Sequence, residues 1–318
     1  MPLFGMHLSV AGGLHNAVAR AVELGCDGIQ IFVRNPRALR AKPLDPQQVD
    51  SFRAAREAAR LWPVVVHVNY LINVASPSDE TYDVSCQALA DELSRANAIG
   101  ADYVVMHPGN HMKSGVDAAV VRIAAAIDRA VEESGVDVSA APVEKSGHTA
   151  DAAAEADASG GTGADAGTAA DQPHSVILCL ENMVGAGTEV GVTFAELGRI
   201  IEASRYGDTL GICLDTCHAL GWGYDVTTPE GLDATLSEMA EAVGISTLKF
   251  VHSNDSQGVL GAKKDRHQNI GMGSIGLAGF RNILSRPELS PLPFILETPV
   301  NSPEDQVRDL AAIRECLP

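Results

Sequence analysis

Eight short apolar or β-branched runs recur along the chain, each followed by a stretch of helical character, and this alternation constrains the fold more than any other feature. The runs are Leu3–Leu8, Gly28–Val33, Pro63–His67, Asp102–His107, Val176–Glu181, Leu210–Asp215, Leu248–His252 and Pro293–Glu297. Helix-like segments alternate with them at Gly12–Leu24, Pro46–Leu61, Ser78–Ile99, Asp117–Glu133, Phe194–Ala203, Pro229–Val243, Leu277–Leu284 and Pro303–Cys316. Ser78 and Asp79 ahead of Tyr82 give the entry chemistry of a capped helix. Apolar strands linked by crossover helices imply parallel pairing, and eight such units make an α/β fold, a TIM-type (β/α)8 barrel. A doubly wound open sheet is the alternative, but no Gly-x-Gly-x-x-Gly follows the first run. Length alone leaves one domain or two open. The strand count favours a single barrel domain over residues 1–318.

One segment breaks the rhythm. Residues 137–174 separate the helix ending near Glu133 from the run at Val176, and within them 149–171 contain ten alanines, five acids, no basic residue and nothing apolar beyond alanine. Such a composition buries too little surface to offset its ordering entropy. It predicts a disordered Ala/Gly/Asp-rich insert before strand five, on the barrel face away from the strand C-termini. An alanine-rich helix is the alternative, opposed by Gly160, Gly161, Gly163 and Gly167.

The formal charge of −18 argues against nucleic-acid binding through the overall field, since a polyanion would be repelled at long range. Binding would need local positive ground. Arg34–Lys42 offers four basic residues and no acid, Lys263, Lys264 and Arg266 form a second group, and bound cations would add more. No apolar run approaches the roughly 18 residues of a membrane span. The N-terminus, Met-Pro-Leu-Phe-Gly-Met-His-Leu-Ser, has no basic segment followed by an apolar one, so a cytoplasmic protein is expected. The six cysteines show no Cys-x-x-Cys pair and read as buried, reduced thiols.

In a barrel, chemistry sits at the C-terminal ends of the strands. Runs three to eight end in His67, His107, Glu181, Asp215, His252 and Glu297, and the loops add His218, Asp265 and His267. Singly, each has a plainer explanation. A strand-end histidine can be structural, and Asp265 can pair with Arg266 or Lys264. Together, four carboxylates at one mouth would repel unless cations neutralise them. Imidazole and carboxylate without thiolate suit a hydrolytic Zn²⁺ or Mn²⁺ centre, and a cluster of such ions points to phosphate-ester hydrolysis.

Several longer motifs now carry a resemblance. They are His7-Leu-Ser-Val-Ala-Gly-Gly13, His107-Pro-Gly109, Leu180-Glu-Asn182, Gly211-Ile-Cys-Leu-Asp-Thr-Cys-His218 with Gly223-Tyr-Asp225, and His252-Ser-Asn-Asp255 through Asp265-Arg-His267 to Gly271-Met-Gly273. Over nearly its whole length outside the insert the chain resembles endonuclease IV, the zinc-dependent apurinic/apyrimidinic endonuclease family. The resemblance implies three Zn²⁺ per chain, with Mn²⁺ an option at one site. His67, His107 and Glu181 would hold the first ion and Glu181, Asp215, His252 and Glu297 the second. His218, Asp265 and His267 would hold the third. It also implies incision of double-stranded DNA 5′ to an abasic site, leaving a 3′-hydroxyl and a 5′-deoxyribose phosphate, with Glu181 the one ligand also able to move a proton.

Arg37, Tyr70 and Leu71 match the family's DNA-contacting positions, although the loop departs from the family at Pro36 and Leu39. For Tyr70 and Leu71 ordinary packing on the barrel is the alternative. A monomer is expected. The rival function is a one-metal sugar isomerase or epimerase of the related barrel group, which would use Glu181, Asp215, His252 and Glu297 but not the other donors. Replacing residues 149–171 with a short Gly/Ser linker is expected to leave abasic-site cleavage nearly unchanged. Loss of cleavage in a variant that still folds and binds metal would show that the insert has a working role.

Overall fold

The computed structural model describes residues 1–138 and 175–318. The insert expected at 149–171 lies outside the described residues. Eight strands close into an all-parallel barrel: β1 (Leu3–His7), β2 (Gly28–Ile31), β3 (Val64–His67), β4 (Tyr103–Met106), β5 (Ile177–Glu181), β6 (Gly211–Asp215), β7 (Leu248–His252) and, after a short antiparallel pair of β8 (Asp255–Ser256) with β9 (His267–Gln268), β10 (Pro293–Leu296). Each barrel strand pairs with its sequence neighbour, and β10 closes the ring between β7 and β1. The barrel expected from the alternation is the observed fold.

Helices α1 (Leu14–Leu24), α2 (Pro46–Ala59), α3 (Asp79–Ile99), α4 (Val116–Ser134), α5 (Phe194–Ala203), α6 (Thr216–Trp222), α7 (Pro229–Ala242), α8 (Gly276–Ser285) and α9 (Pro303–Arg314) account for the crossovers. Their starts are written locally. Ser78 accepts from the Thr81 amide ahead of α3, as its sequence predicts, and Thr193 and Thr228 do the same for α5 and α7. The buried face of α1, Leu14, Ala17, Val18 and Ala21, has the three- and four-residue spacing of a helix stripe laid on the barrel. No helix among the described residues is long and apolar enough to cross a membrane.

Strand parity positions the site. Successive side chains point to opposite faces of a strand, so residues two apart share the barrel interior. Val65, Tyr103, Val105, Ile177, Cys179, Cys213, Phe250 and Ile295 form a buried inner cluster, with Trp62 packed against it. Two residues beyond members of that cluster stand His67, His107, Glu181, Asp215, His252 and Glu297. The apolar layer is therefore a floor, and the next inward layer is polar. A fully buried side chain such as Phe250 contributes roughly 1.5–3 kcal/mol, which makes the floor an unyielding base for the donors above it.

Candidate metal centre

Glu181 is the hub of the polar layer. Its Oε1 lies 3.0 Å from His252 Nδ1 and 3.3 Å from His218 Nδ1, and its Oε2 lies 3.3 Å from His107 Nε2 and 3.6 Å from His67 Nε2. His252 Nδ1 is also 3.2 Å from Glu297 Oε2 and 4.0 Å from Asp215 Oδ2. On the other side of the mouth, His218 Nε2 and His267 Nε2 each stand 3.4 Å from the same oxygen of Asp265. His267 Nε2 is 3.7 Å from Asp215 Oδ2, so Asp215 reaches toward the third donor group as well as the second.

All nine residues singled out in the sequence therefore converge. Donor atoms able to hold an ion together are found in His67, His107 and Glu181, in Glu181, Asp215, His252 and Glu297, and in Asp215, His218 and His267. Asp265 also approaches His267 together with Cys217, a residue that sequence reasoning did not single out. Burial pushes the Cys217 thiol up to about 12.

The back of each ring decides what its front can do. His67 Nδ1 lies 2.7 Å from the Val68 carbonyl, His218 Nδ1 3.0 Å from the Asn182 carbonyl and His267 Nδ1 3.2 Å from the Glu297 carbonyl. A carbonyl only accepts, so each of those nitrogens donates. A ring deprotonated at Nε2 then aims that lone pair at carboxylate oxygens. His252 is held the other way round, with Nε2 2.7 Å from Gln30 Oε1, whose amide is oriented by donating at 2.6 Å to Glu297 Oε1.

Lone pairs facing carboxylates repel unless positive charge lies between them. Glu181 Oε2, His218 Nε2 and His267 Nε2 are buried and have no hydrogen-bond partner. Ligand bonds of about 2.0–2.1 Å at tetrahedral angles place donors about 3.3–3.4 Å apart. The separations of 3.3, 3.4 and 3.4 Å for His107–Glu181, His218–Asp265 and His267–Asp265 fit that spacing. Electrostatics make the same demand. Burial alone would raise the Glu181 and Glu297 carboxyls, yet the imidazoles around them hold both well below the ordinary carboxylate range. Burial would lower His252, but Glu297 and Glu181 outweigh it and push it up to about 9. The donor set fits divalent cations of the zinc type.

Comparison with known proteins places the chain. Residues 18–316 match the family described as xylose isomerase-like TIM barrels. A probable endonuclease 4 from Methanoculleus marisnigri is 42% identical over 315 residues, covering 99% of each chain. The chain belongs to the endonuclease IV family. The crystal structure of endonuclease IV from Thermus thermophilus matches at TM-score 0.78 and 33% identity, covering 99% of this chain and 98% of that one. A D-tagatose 3-epimerase-like protein shares the fold at TM-score 0.68 and 18% identity, covering 99% of this chain and 96% of that one. The barrel by itself does not separate nuclease from epimerase.

Several parts of this endonuclease IV-family site are given no role by sequence reasoning, although His7 and Asp255 fall within its motifs. Helix α6 begins directly at the end of β6, where Asp215 Oδ1 accepts from the His218 amide at 2.7 Å. One carboxylate oxygen thus caps the helix that carries His218, and the other faces the donor cluster. The β8–β9 pair sets Ser256 opposite His267 and folds the long loop back over the mouth. Buried Asp255 anchors that loop by accepting from the amides of Ser256, Gly271, Gly273, Ile275 and Gly276. Gln30 and His7 complete the layer: His7 Nδ1 is 2.9 Å from Gln30 Nε2 and 3.6 Å from Glu297 Oε1. A glutamine within the apolar Gly-Ile-Gln-Ile run was the available signal, because parity with Gly28 puts its side chain inside.

Arg37, Tyr70 and Leu71 are exposed on the loops after β2 and β3. Tyr70 sits beside the donors, its ring centroid 4.9 Å from that of His67 and 5.5 Å from that of His107. At 55% and 48% exposure, Tyr70 and Leu71 are not core residues. Arg34, counted among the basic residues of its loop, is corrected. Its side chain is buried, 3.7 Å from Glu92 and 3.4 Å from Asp91, and it donates to the Ala88 and Leu39 carbonyls. Burial pushes Glu92 up to about 7 even though Arg34 opposes the shift. Arg34 fastens the loop to α3 and is unavailable to a ligand.

Proposed function

We propose that this chain is a DNA repair endonuclease that hydrolyses the phosphodiester 5′ to an abasic site in double-stranded DNA, leaving a 3′-hydroxyl and a 5′-deoxyribose phosphate. The observation that carries the reading is the convergence of buried, unpartnered donor atoms, Glu181 Oε2, His218 Nε2 and His267 Nε2, at ion-like spacings in one mouth. Membership of the endonuclease IV family supports it. His67, His107 and Glu181 would hold one Zn²⁺, and Glu181, Asp215, His252 and Glu297 a second. His218, His267 and Asp265 would hold a third, with Asp215 in reach, and Mn²⁺ is an option at one of the sites. When bound, such ions supply Lewis-acid activation of water and neutralise charge on the phosphate and the departing oxygen.

The chain's own groups do the rest. Glu181 joins two donor groups and is placed to take a proton from an attacking water. Asn254 fixes the two carboxylates behind it, donating to Asp215 Oδ2 at 2.6 Å and to Glu297 Oε2 at 3.3 Å, while its own oxygen accepts from the Glu297 amide at 2.8 Å. The carbonyls behind His67, His218 and His267 hold those rings in a single tautomer, which tightens ligand geometry. One chain supplies every donor, so a monomer is proposed, and a cytoplasmic setting is proposed alongside it.

Two measurements together test the reading: metal content of the purified protein, and cleavage of a duplex bearing one abasic site with analysis of both new ends. Three ions and a single incision with a 3′-hydroxyl are expected. A protein that binds three ions yet leaves such a duplex intact would overturn the assignment.

The same reading predicts where the duplex is held. A chain of charge −18 must hold DNA through local cations, and Arg37 is exposed beside Tyr70 and Leu71. Changing Arg37 to Ala is expected to weaken abasic-duplex binding by about 1–3 kcal/mol. Arg308→Ala, at a surface residue already paired with Asp305 and Asp309, is expected to change it little. Equal losses in fluorescence anisotropy would remove Arg37 from the DNA face.

A further inference from the structure

The connection from β4 to α4 has a built conformation that the metal centre does not use. Met112 and Lys113 both adopt left-handed backbone, with φ of 45° and 75°, and both are exposed, Met112 at 60%. Side chains other than glycine are sterically penalised there, and such residues persist only where their surroundings over-determine them. The surroundings do so here. Asn110 donates to Asn73 Oδ1 at 2.9 Å and accepts from Asn73 Nδ2 at 3.0 Å, while the His111 amide donates to the Thr188 carbonyl at 2.8 Å. Gly109, at φ 111°, leaves the space: a Cβ there would lie 2.5 Å from Asn73 Oδ1. His111 Nδ1 accepts from the Gly115 amide at 3.1 Å and closes the turn.

Asn73 lies on the loop that presents Tyr70 and Leu71. On the other side of that pair, Asn69 Nδ2 donates to the Asn35 and Ala38 carbonyls at 3.0 and 2.9 Å, and Asn69 Oδ1 accepts from the Leu71 amide at 2.8 Å. Strands β2, β3 and β4 are neighbours in the barrel, so their loops stand side by side. Two asparagines thus lock three loops into one rim that runs Arg37, Tyr70–Leu71, Met112–Lys113. An apolar pair is flanked by a cation on each side.

We propose that the Met112–Lys113 turn is a further DNA-contacting element, with Lys113 on a backbone phosphate across the Tyr70–Leu71 pair from Arg37 and Met112 against the groove wall. The assignment rests on the abasic-duplex reading above. Flanking phosphates on both sides of a distorted nucleotide need cations on both sides of whatever distorts it, and exposed methionine is among the apolar side chains that pack into a minor groove. The strained backbone holds both side chains out at the rim, so little ordering remains to be done on binding.

Steady-state cleavage of an abasic duplex across a salt series tests this. Lys113→Ala is expected to raise KM several-fold with kcat and metal content unchanged. The slope of log(kcat/KM) against log[salt] should fall by about 0.9, the value for one phosphate contact. Met112→Ala should raise KM without changing that slope. Lys113→Gly separates contact from folding, because glycine carries no penalty at φ 75°. It should lose as much affinity as Lys113→Ala while its Tm stays level or rises. An unchanged salt slope in Lys113→Ala, with a wild type that cleaves normally, overturns this contact alone. A wild type that does not cleave an abasic duplex overturns the functional reading and this contact with it.

Discussion

Glu181→Gln is expected to slow abasic-site cleavage by on the order of 10³-fold or more, about 4 kcal/mol of barrier. The side chain barely changes in volume, and the buried position keeps its packing. What changes is the charge at the hub. Two oxygens of one carboxylate face four imidazoles at 3.0 to 3.6 Å. An amide replaces one of those oxygens with an NH₂ that points a donor at rings whose lone pairs should face an ion, and it removes the negative charge shared by two donor groups. Metal content should therefore fall by more than one ion per chain. The apo proteins should differ in the same direction in thermal melts. Without ions, the imidazoles that hold the Glu181 carboxyl well below its ordinary range make its ionised form stabilising near neutral pH, so Glu181→Gln should lower Tm. A Glu181→Gln protein that keeps its full metal content and cleaves within tenfold of wild type would show that Glu181 is not the bridging residue.

Much of this site was legible in the sequence because barrel geometry is periodic at two levels. The alternation of apolar runs and helices gives the barrel, and the last polar residue of each run falls on the inward parity automatically. His67, Glu181, Asp215 and His252 each end a strand, and His107 and Glu297 follow one by a single residue. Parity read backwards would also have found His7 and Gln30, two residues beyond Gly5 and Gly28, but a glutamine between isoleucines looks like noise without knowledge of which face is inside. Arg34 shows the opposite failure. Nothing local distinguishes it from Arg37 three residues later, and only the packing of Glu92 on α3 beneath it turns one into a buried fastening and leaves the other exposed. The loop that returns His267 to the mouth is set by Asp255 accepting from amides up to 21 residues away. That closure is a long-range event with no periodic signature.

His218→Ala and His267→Ala distinguish a phosphodiesterase from the isomerase chemistry that the same fold can host. Glu181, Asp215, His252 and Glu297 alone are enough for one ion, and a one-metal enzyme acting on a small carbonyl compound would need nothing more. The group that such an enzyme has no use for is the pair of rings aimed at Asp265 from 3.4 Å on each side. Removing either ring leaves one imidazole with Asp215, already shared with another donor group, and Asp265, 46% exposed at its side chain, a set that holds a divalent ion more weakly. Each variant is therefore expected to bind fewer ions than wild type and to lose the positive charge that the proposed mechanism places at the departing 3′-oxygen. Cleavage should slow by on the order of 10² or more, about 3 kcal/mol. Duplex binding should fall far less, because Arg37 and the other two donor groups stay in place. The two effects together carry the inference, since a ring that merely braced the fold would reduce binding and Tm along with rate. If wild type holds a single ion, or if both variants incise an abasic duplex at the wild-type rate, the rings facing Asp265 have no part in hydrolysis and the one-metal reading takes over.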